Sequence, residues 1–368
     1  MTGLTARIVD KPAEAPPAAP EITWEVGTAY DLFISLHVLH QPEDFGLRGS
    51  WAAGVRSRLP ADERKLLEDA AHLLYLTNLP WIHALPEPRD GATAIWTLAR
   101  LAPEERLPAL MQPYDAPSEL IGTLQNVSAR RKWDEGDRET LRKFFGAHKK
   151  HHYTQKDLAK LLDWWAAPAE FGERCLSTLR SYYEAFFAEE ERRILPALQT
   201  ALDRARELSE KLDVPALLET LSQGVRFESL DEIDRLVLAP SFWSTPFIFY
   251  DKFEEHGMVI AFGGRPSGAS LVPGEEVPDA MLQALKAMAD PTRLRILRYL
   301  TGKAMTPADL SRRLRLRPPT VVHHLHALRL AGLVHLTLET GGERRYAVRR
   351  EMIGATFEDI QDFLKENK

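Results

Sequence analysis

The sequence has 368 residues, of which 44% are hydrophobic and 27% are charged. This balance is typical of a globular protein with a sizeable core, and the length predicts about two or three domains. The single cysteine, Cys175, excludes a disulfide framework and any multi-cysteine metal site. There is no apolar stretch of the length that a membrane-spanning helix needs and no secretory signal pattern, so we expect a cytoplasmic protein without membrane contacts.

The net charge of −6 is unevenly distributed along the chain. Residues 278–368 contain 16 lysines and arginines against 10 aspartates and glutamates, a net charge of +6, which leaves 31 against 43, a net charge of −12, for the rest. Such a division is expected when one domain meets phosphates and another does not.

The first 263 residues are expected to be mainly helical. Residues 1–20 are rich in proline and alanine and are predicted to be a flexible tail. Residues 172–211 keep a helical period and predict one long helix, or two helices broken near Pro196. After Gly224 the period changes, and short β-branched or aromatic runs predict a small antiparallel sheet. These runs are residues 225–228, 236–239, 246–250 and 258–262.

The last ninety or so residues are predicted to form a separate domain. Glycines and prolines at 264–277 indicate a linker. Beyond it, aspartate–proline and threonine–proline pairs predict helix starts near residues 291 and 307. A helix, a tight turn and a second helix over 318–331 are typical of a helix-turn-helix, and strands at 333–338 and 344–348 would form its wing. The expected fold class is therefore mainly α with a small antiparallel β-sheet, with a large N-terminal domain (21–263) and a winged helix-turn-helix (278–368).

Three separated motifs in this region resemble the ArsR-type winged-helix family. They are AMADPTRLRIL at 287–297, PTVVHHLHAL at 319–328 and AGLV at 331–334. The resemblance implies a homodimeric, usually repressing transcription regulator that binds an imperfect palindrome of double-stranded DNA. The region before the linker resembles more loosely the large N-terminal domain of one subgroup of these regulators.

The resemblance also bears on metals. Metal-sensing members of that family carry a cysteine pair in the helix before the recognition helix, but residues 306–314 contain no thiol, so sensing of a thiophilic metal there is excluded. A second family site uses carboxylates and histidine on the last helix, and here no histidine follows His335. We predict neither a metal nor a cofactor.

The predicted recognition helix has one face for the core and one for DNA. Val321, Leu325 and Leu328 share the inward face. The residues that leave this face are the candidate base readers: Pro319, Thr320, Val322, His323 and His326. Val322 could pack on a thymine methyl group, whereas Thr320 and His323 could form hydrogen bonds to bases. His324 is expected to pack partly inward.

Arginines flank this helix, and as a group they are expected to neutralise phosphates. Those before the helix are Arg312, Arg313, Arg315 and Arg317, and those on the wing are Arg344 and Arg345.

All eight tryptophans precede the linker, and aromatic walls suit an apolar effector pocket. The densest aromatic segment supplies the candidate effector-binding residues Phe242, Trp243 and Phe247. The alternative is that these rings fill the core and that the domain is only a dimerisation scaffold. The histidine cluster at 148–152 is interpreted as a solvated helix end rather than a metal site. The sequence contains no nucleophile elbow, phosphate loop or HExxH motif, which argues against an enzyme.

Overall fold

The computed structural model describes residues 19–74, 77–111, 116–147, 153–227, 230, 232–272, 277–339 and 343–365, except for the side chains of residues 146 and 147. The predicted flexible tail lies almost wholly outside these ranges, as does the histidine cluster at 148–152. Within the described ranges, no helix combines the length and the apolar character that crossing a membrane requires.

Helices occupy most of the chain up to residue 221, as the sequence predicts. They are α1 (Thr28–His40), α2 (Gly49–Arg56), α3 (Ala61–Leu73), α4 (Leu79–His83), α5 (Gly91–Arg100), α6 (Pro103–Met111), α7 (Ser118–Arg130), α8 (Glu135–Ala147), α9 (Gln155–Ala166), α10 (Pro168–Tyr182), α11 (Ala188–Ser209) and α12 (Val214–Leu221). Between α1 and α2 the chain forms a 3-10 turn, Pro42–Phe45.

The helix α1 lies at the centre of this region. Of its 13 residues, only His37 and His40 are not fully buried. A helix buried on all sides belongs to the interior rather than to the surface. Two other helices begin at clear local signals, Asp90 and Thr154, whose side chains accept hydrogen bonds from the first-turn amides of α5 and α9.

The predicted long helix at 172–211 is present with one irregularity. The helices α10 and α11 are joined without a loop by a π-helical turn at Tyr183–Phe187. Pro196 lies inside α11 and does not end it. Of the two alternatives for this segment, continuity is therefore correct, and the local change in winding lies before Pro196 rather than at it.

A four-stranded sheet combines one strand that precedes α1 with three strands that follow α12. Its strands are β1 (Glu21–Trp24), β3 (Arg235–Ser241), β4 (Phe249–Phe253) and β5 (Gly257–Gly263), in the order β1-β3-β5-β4. Both β1 and β5 run parallel to β3, and only β4 runs antiparallel to β5. Alternate residues of β3 and β5 enter two different cores, so both faces of the sheet are covered.

The mainly helical fold class with a small sheet is confirmed, but the predicted antiparallel strand directions are wrong for β3 and β5, which run parallel to each other. The unbroken apolar runs of β3 and β5 are typical of parallel strands that are covered on both faces. The predicted runs did not include β1, which lies before α1 and far from the other strands in the sequence.

The C-terminal elements agree closely with the prediction. They are α13 (Asp279–Met288), α14 (Pro291–Leu300), α15 (Pro307–Leu314), α16 (Pro318–Leu330), β6 (Val334–Leu338), β7 (Arg344–Val348) and α17 (Arg350–Phe363). Asp290 caps α14, and Thr306 and Asp309 form a reciprocal capping box at the start of α15. A separate apolar core, built around Ile296, Leu310 and Leu325, holds these elements together.

The two parts of the chain are joined more closely than a flexible linker implies. The strand β2 (Val225–Phe227), predicted for the N-terminal sheet, instead pairs in parallel with β6 of the wing. Within the predicted linker, Leu271 is buried in the N-terminal core. The Arg265 guanidinium donates to the Thr245 carbonyl and lies 3.6 Å from Asp279 of α13. The N-terminal region therefore adds a strand to the sheet that carries the wing.

Candidate nucleic-acid interface

The helices α15 and α16 and the turn between them form the helix pair that the sequence predicts. Arg315 ends α15 in the left-handed conformation, with φ of 57°, and the Leu316 amide donates to the Ser311 carbonyl. Only Leu316 and Arg317 then separate this cap from α16, so the chain reverses within a few residues. After α16, Gly332 has φ of +68° and directs the chain into β6.

The N-terminal half of α16 presents an open surface. Pro319, Thr320 and His323 are exposed, and Val322 is 51% exposed. On the opposite side, Val321, Leu325 and Leu328 are fully buried, as the helical spacing predicts. The side chains of this half of the helix are therefore accessible to a partner.

The C-terminal half of α16 contacts the N-terminal region. The His326 ring stacks on Phe247, with centroids 5.3 Å apart, and its Nε2 lies 2.8 Å from the Asp44 carbonyl oxygen. The spacing predicts an outward His326 open to DNA. The ring does leave the core of its own domain and contacts a second surface there, although 38% of the side chain remains exposed.

Arg329 also attaches this end of α16 to the N-terminal region. Its guanidinium is buried and donates to the carbonyls of Ser222 and Gln223, at 2.7 and 3.0 Å. It also lies over the Phe247 ring at 5.8 Å. Burial lowers the pKa of Arg329 to about 10, so the group remains charged at neutral pH. Hydrogen bonds from a charged donor to buried carbonyls stabilise such a contact by about 1.5–3 kcal/mol.

No local pattern in the sequence indicates these contacts of the C-terminal half of α16, which we call its closed end. Its contacts also include Gln283 of α13, whose side-chain amide donates to the Gly46 carbonyl at 3.2 Å. The available signal was Arg329 itself, because an arginine next to the inward Leu328 requires acceptors that its own helix cannot provide. The sequence could not indicate that the acceptors would come from residues 222 and 223.

The predicted phosphate-binding arginines have different surroundings. Arg317 and Arg344 are exposed, and Arg313 lies over the Tyr299 ring at 5.8 Å. Arg312 pairs with Asp309, although it remains 78% exposed. Arg345 pairs with both Glu339 and Glu343. The arginines that have carboxylate partners must give up part of that pairing to contact a phosphate.

His324 lies between the two faces of α16, as predicted. Its ring is partly buried, and its Nδ1 has no hydrogen-bond partner among the described residues. Burial lowers the pKa of His324, although the nearby Asp290 carboxylate opposes the shift.

Two of the three predicted effector residues are buried in the core of the N-terminal region. Trp243 is fully buried, stacks on Trp51 at 6.2 Å and donates from its indole nitrogen to Glu190. Phe242 is 3% exposed. Trp243 N and Ser241 Oγ donate to the fully buried Asp31, whose pKa burial raises to about 7. Phe247, the third predicted residue, contacts α16 instead.

Among the described residues there is no group of three or more histidine, cysteine or acidic side chains arranged to hold a metal ion. Cys175 is buried, and burial raises the pKa of its thiol to about 12, so it is a core residue rather than a reactive thiolate.

The helix pair, the short turn and the β6–β7 hairpin define a winged helix-turn-helix domain, a class of fold that places its second helix in the major groove of DNA. A family model described as a helix-turn-helix domain matches residues 288–337, which contain α14, α15, α16 and most of β6. The chain is also similar to the transcriptional repressor SdpR of Bacillus subtilis (strain 168), with 37% identity over 54 residues. That alignment covers 15% of this chain and 60% of the relative's length.

Proposed function

We propose that the protein is a DNA-binding transcriptional regulator, a homodimeric ArsR-like repressor that inserts the N-terminal half of α16 into the major groove. The observation that carries the proposal is the open end of α16 within a helix-turn-helix. In this fold, the N-terminal residues of the second helix contact the bases. Pro319, Thr320, Val322 and His323 are the proposed readers, and we leave His326 out of this set because its ring stacks on Phe247 and its Nε2 lies 2.8 Å from the Asp44 carbonyl oxygen.

Selection of duplexes from a random DNA pool tests the proposal and does not require a known operator. The full-length protein is expected to enrich a sequence with two related half-sites about one helical turn apart. Recovery of DNA with no common sequence would contradict sequence-specific regulation. The enriched duplex then serves as the probe for measurements of DNA affinity.

If the wing contacts phosphates, the salt dependence of DNA affinity should differ between variants of two neighbouring arginines. Arg344 has no carboxylate partner among the described residues, whereas Arg345 is held by Glu339 and Glu343. We expect Arg344→Ala to flatten the plot of log affinity against log salt concentration by about 1.8, because each subunit of the proposed dimer loses one phosphate contact worth about 0.9. Arg345→Ala is the matched control and should change the slope less. Equal slopes for wild type and both variants, in titrations of the enriched duplex, would contradict a wing contact.

The proposed second subunit of the dimer packs on α17 and α13. Phe357 and Leu364 are 54% and 71% exposed on α17, and Leu285 is 38% exposed on α13, which packs against α17. A second copy of the chain is the occupant that a two-fold palindrome requires. Burying these side chains would remove apolar surface that a monomer leaves in water.

The proposed role of the N-terminal region is to control α16 through its closed end. The contacts of His326 and Arg329 support this role, because the N-terminal region cannot move without changing the support of the recognition helix. Trp243 is fully buried, which favours a structural role in the core for the segment around it rather than a role in binding an effector. If a small effector is sensed, the structure favours a place other than the predicted aromatic pocket.

A further inference from the structure

A cleft of about 770 Å³ opens where α1, α2 and α3 meet. This volume falls within the range of about 300–1,000 Å³ that small-ligand sites occupy. Its lining is mainly polar, in contrast to the tightly packed core next to Trp243. The lining includes His40, Gln41, Arg56, Arg64, Lys65 and Glu68.

The charge of this cleft is opposite to that of the region around it. Three cations, Arg56, Arg64 and Lys65, face one carboxylate, Glu68, whereas the chain before residue 278 has a net charge of −12. Lys65 is shared between Glu68 and Asp69, at 3.2 and 3.0 Å. Arg64 is exposed and has no carboxylate partner among the described residues. Clustered cations in a concave surface concentrate anions.

His40 adds an unsatisfied polar atom to the cleft. Its Nδ1 lies 2.7 Å from the Leu36 carbonyl oxygen, an atom that can only accept, so Nδ1 donates its hydrogen to that carbonyl. The Nε2 atom is buried and has no partner among the described residues. Because burial lowers the pKa of His40, the neutral ring is favoured, and its Nε2 is then an acceptor for a bound hydroxyl or hydrogen phosphate group.

The cleft is directly connected to the closed end of α16. Gln41 lines the cleft and ends α1, and the 3-10 turn Pro42–Phe45 begins at the next residue. From that turn, the Asp44 carbonyl meets His326, and just beyond it the Gly46 carbonyl accepts from Gln283 of α13. Movement at Gln41 would therefore be passed to the recognition helix within five residues of chain.

We infer that this cleft binds a small polyanion carrying phosphate or carboxylate groups, and that its occupancy alters the support of α16 through residues 42–46. Binding in the cleft is independent of the proposed DNA-binding function, whereas the effect on α16 rests on it. The cations attract the anion, and His40 Nε2 favours a ligand group that can donate a hydrogen bond. The 3-10 turn transmits the effect of binding to α16.

Titration calorimetry on the full-length protein tests the binding step without DNA. The probes are inorganic pyrophosphate and citrate, which separate phosphate from carboxylate ligands, at constant ionic strength set with sodium chloride. We expect saturable binding of one of them to wild type and to the matched control Arg204→Ala, an exposed arginine of α11. Arg64→Ala should weaken binding at least about tenfold, equivalent to about 1.4 kcal/mol. Absence of saturable binding, or equal binding by Arg64→Ala, would overturn the assignment.

The transmission step is tested with the enriched duplex. Addition of the bound anion at constant ionic strength should change the DNA affinity of wild type several-fold and leave Arg64→Ala unchanged. An anion that binds the cleft but leaves wild-type DNA affinity unaltered would overturn the link to α16. Failure to bind any DNA would contradict the proposed function, but calorimetry would still show whether the cleft binds an anion.

Discussion

Val322→Glu is expected to weaken binding of the enriched duplex about a hundredfold, equivalent to about 2.7 kcal/mol. Val322 is 51% exposed on the open half of α16. A carboxylate there would enter the negative field of the major groove, and like charges across an interface cost several kcal/mol. The free energy of unfolding should change by less than about 0.5 kcal/mol, because exposed positions tolerate substitution.

The control for this prediction adds the same charge elsewhere. Gln199 is exposed on α11 in the N-terminal region, so Gln199→Glu should leave DNA affinity nearly unchanged. Fluorescence anisotropy with both variants and thermal melts of each protein supply the comparison. If Val322→Glu binds as well as Gln199→Glu, then α16 does not enter the groove by its N-terminal half.

The double variant Phe357→Asp with Leu364→Asp is expected to convert a dimer into a monomer of 41.7 kDa. Two carboxylates in an apolar contact cannot be buried without partners, and each buried unpaired charge costs several kcal/mol. DNA affinity should fall about a hundredfold or more, because a monomer contacts one half-site and loses the linked second one.

Light scattering after size-exclusion chromatography measures the mass of this variant directly. The matched control, Phe357→Met with Leu364→Met, keeps the apolar surface and should remain dimeric. A wild-type protein that elutes as a monomer, or an aspartate variant that remains a dimer, would show that α17 does not form the subunit contact.

The C-terminal elements could be predicted from sequence because their signals are local. Asp290 and Thr306 cap the helices that follow them, and Gly332 ends α16, each within a few residues of the element concerned. The inward positions of α16 follow from spacing alone. These features do not depend on what the rest of the chain does.

The features that sequence analysis missed depend on distant contacts. No local pattern indicates that β2 joins β6, or that β1 lies beside β3. The spacing predicts that His326 leaves the core of its own domain. It could not indicate the contact with Phe247, which lies far away in the sequence. The aromatic density near Trp243 was consistent with either a pocket or a core, and only packing against Trp51 and Phe186 distinguishes the two.

The central claim is that α16 is open at its N-terminal half and closed at its C-terminal half, and site-specific photo-crosslinking tests it most directly. A photoreactive phenylalanine analogue would replace His323 in one protein and His326 in another, each bound to the enriched duplex. We expect DNA adducts from position 323 and crosslinks within the protein, to residues near Asp44 and Phe247, from position 326. DNA adducts from position 326 with none from position 323 would contradict this account of the recognition helix.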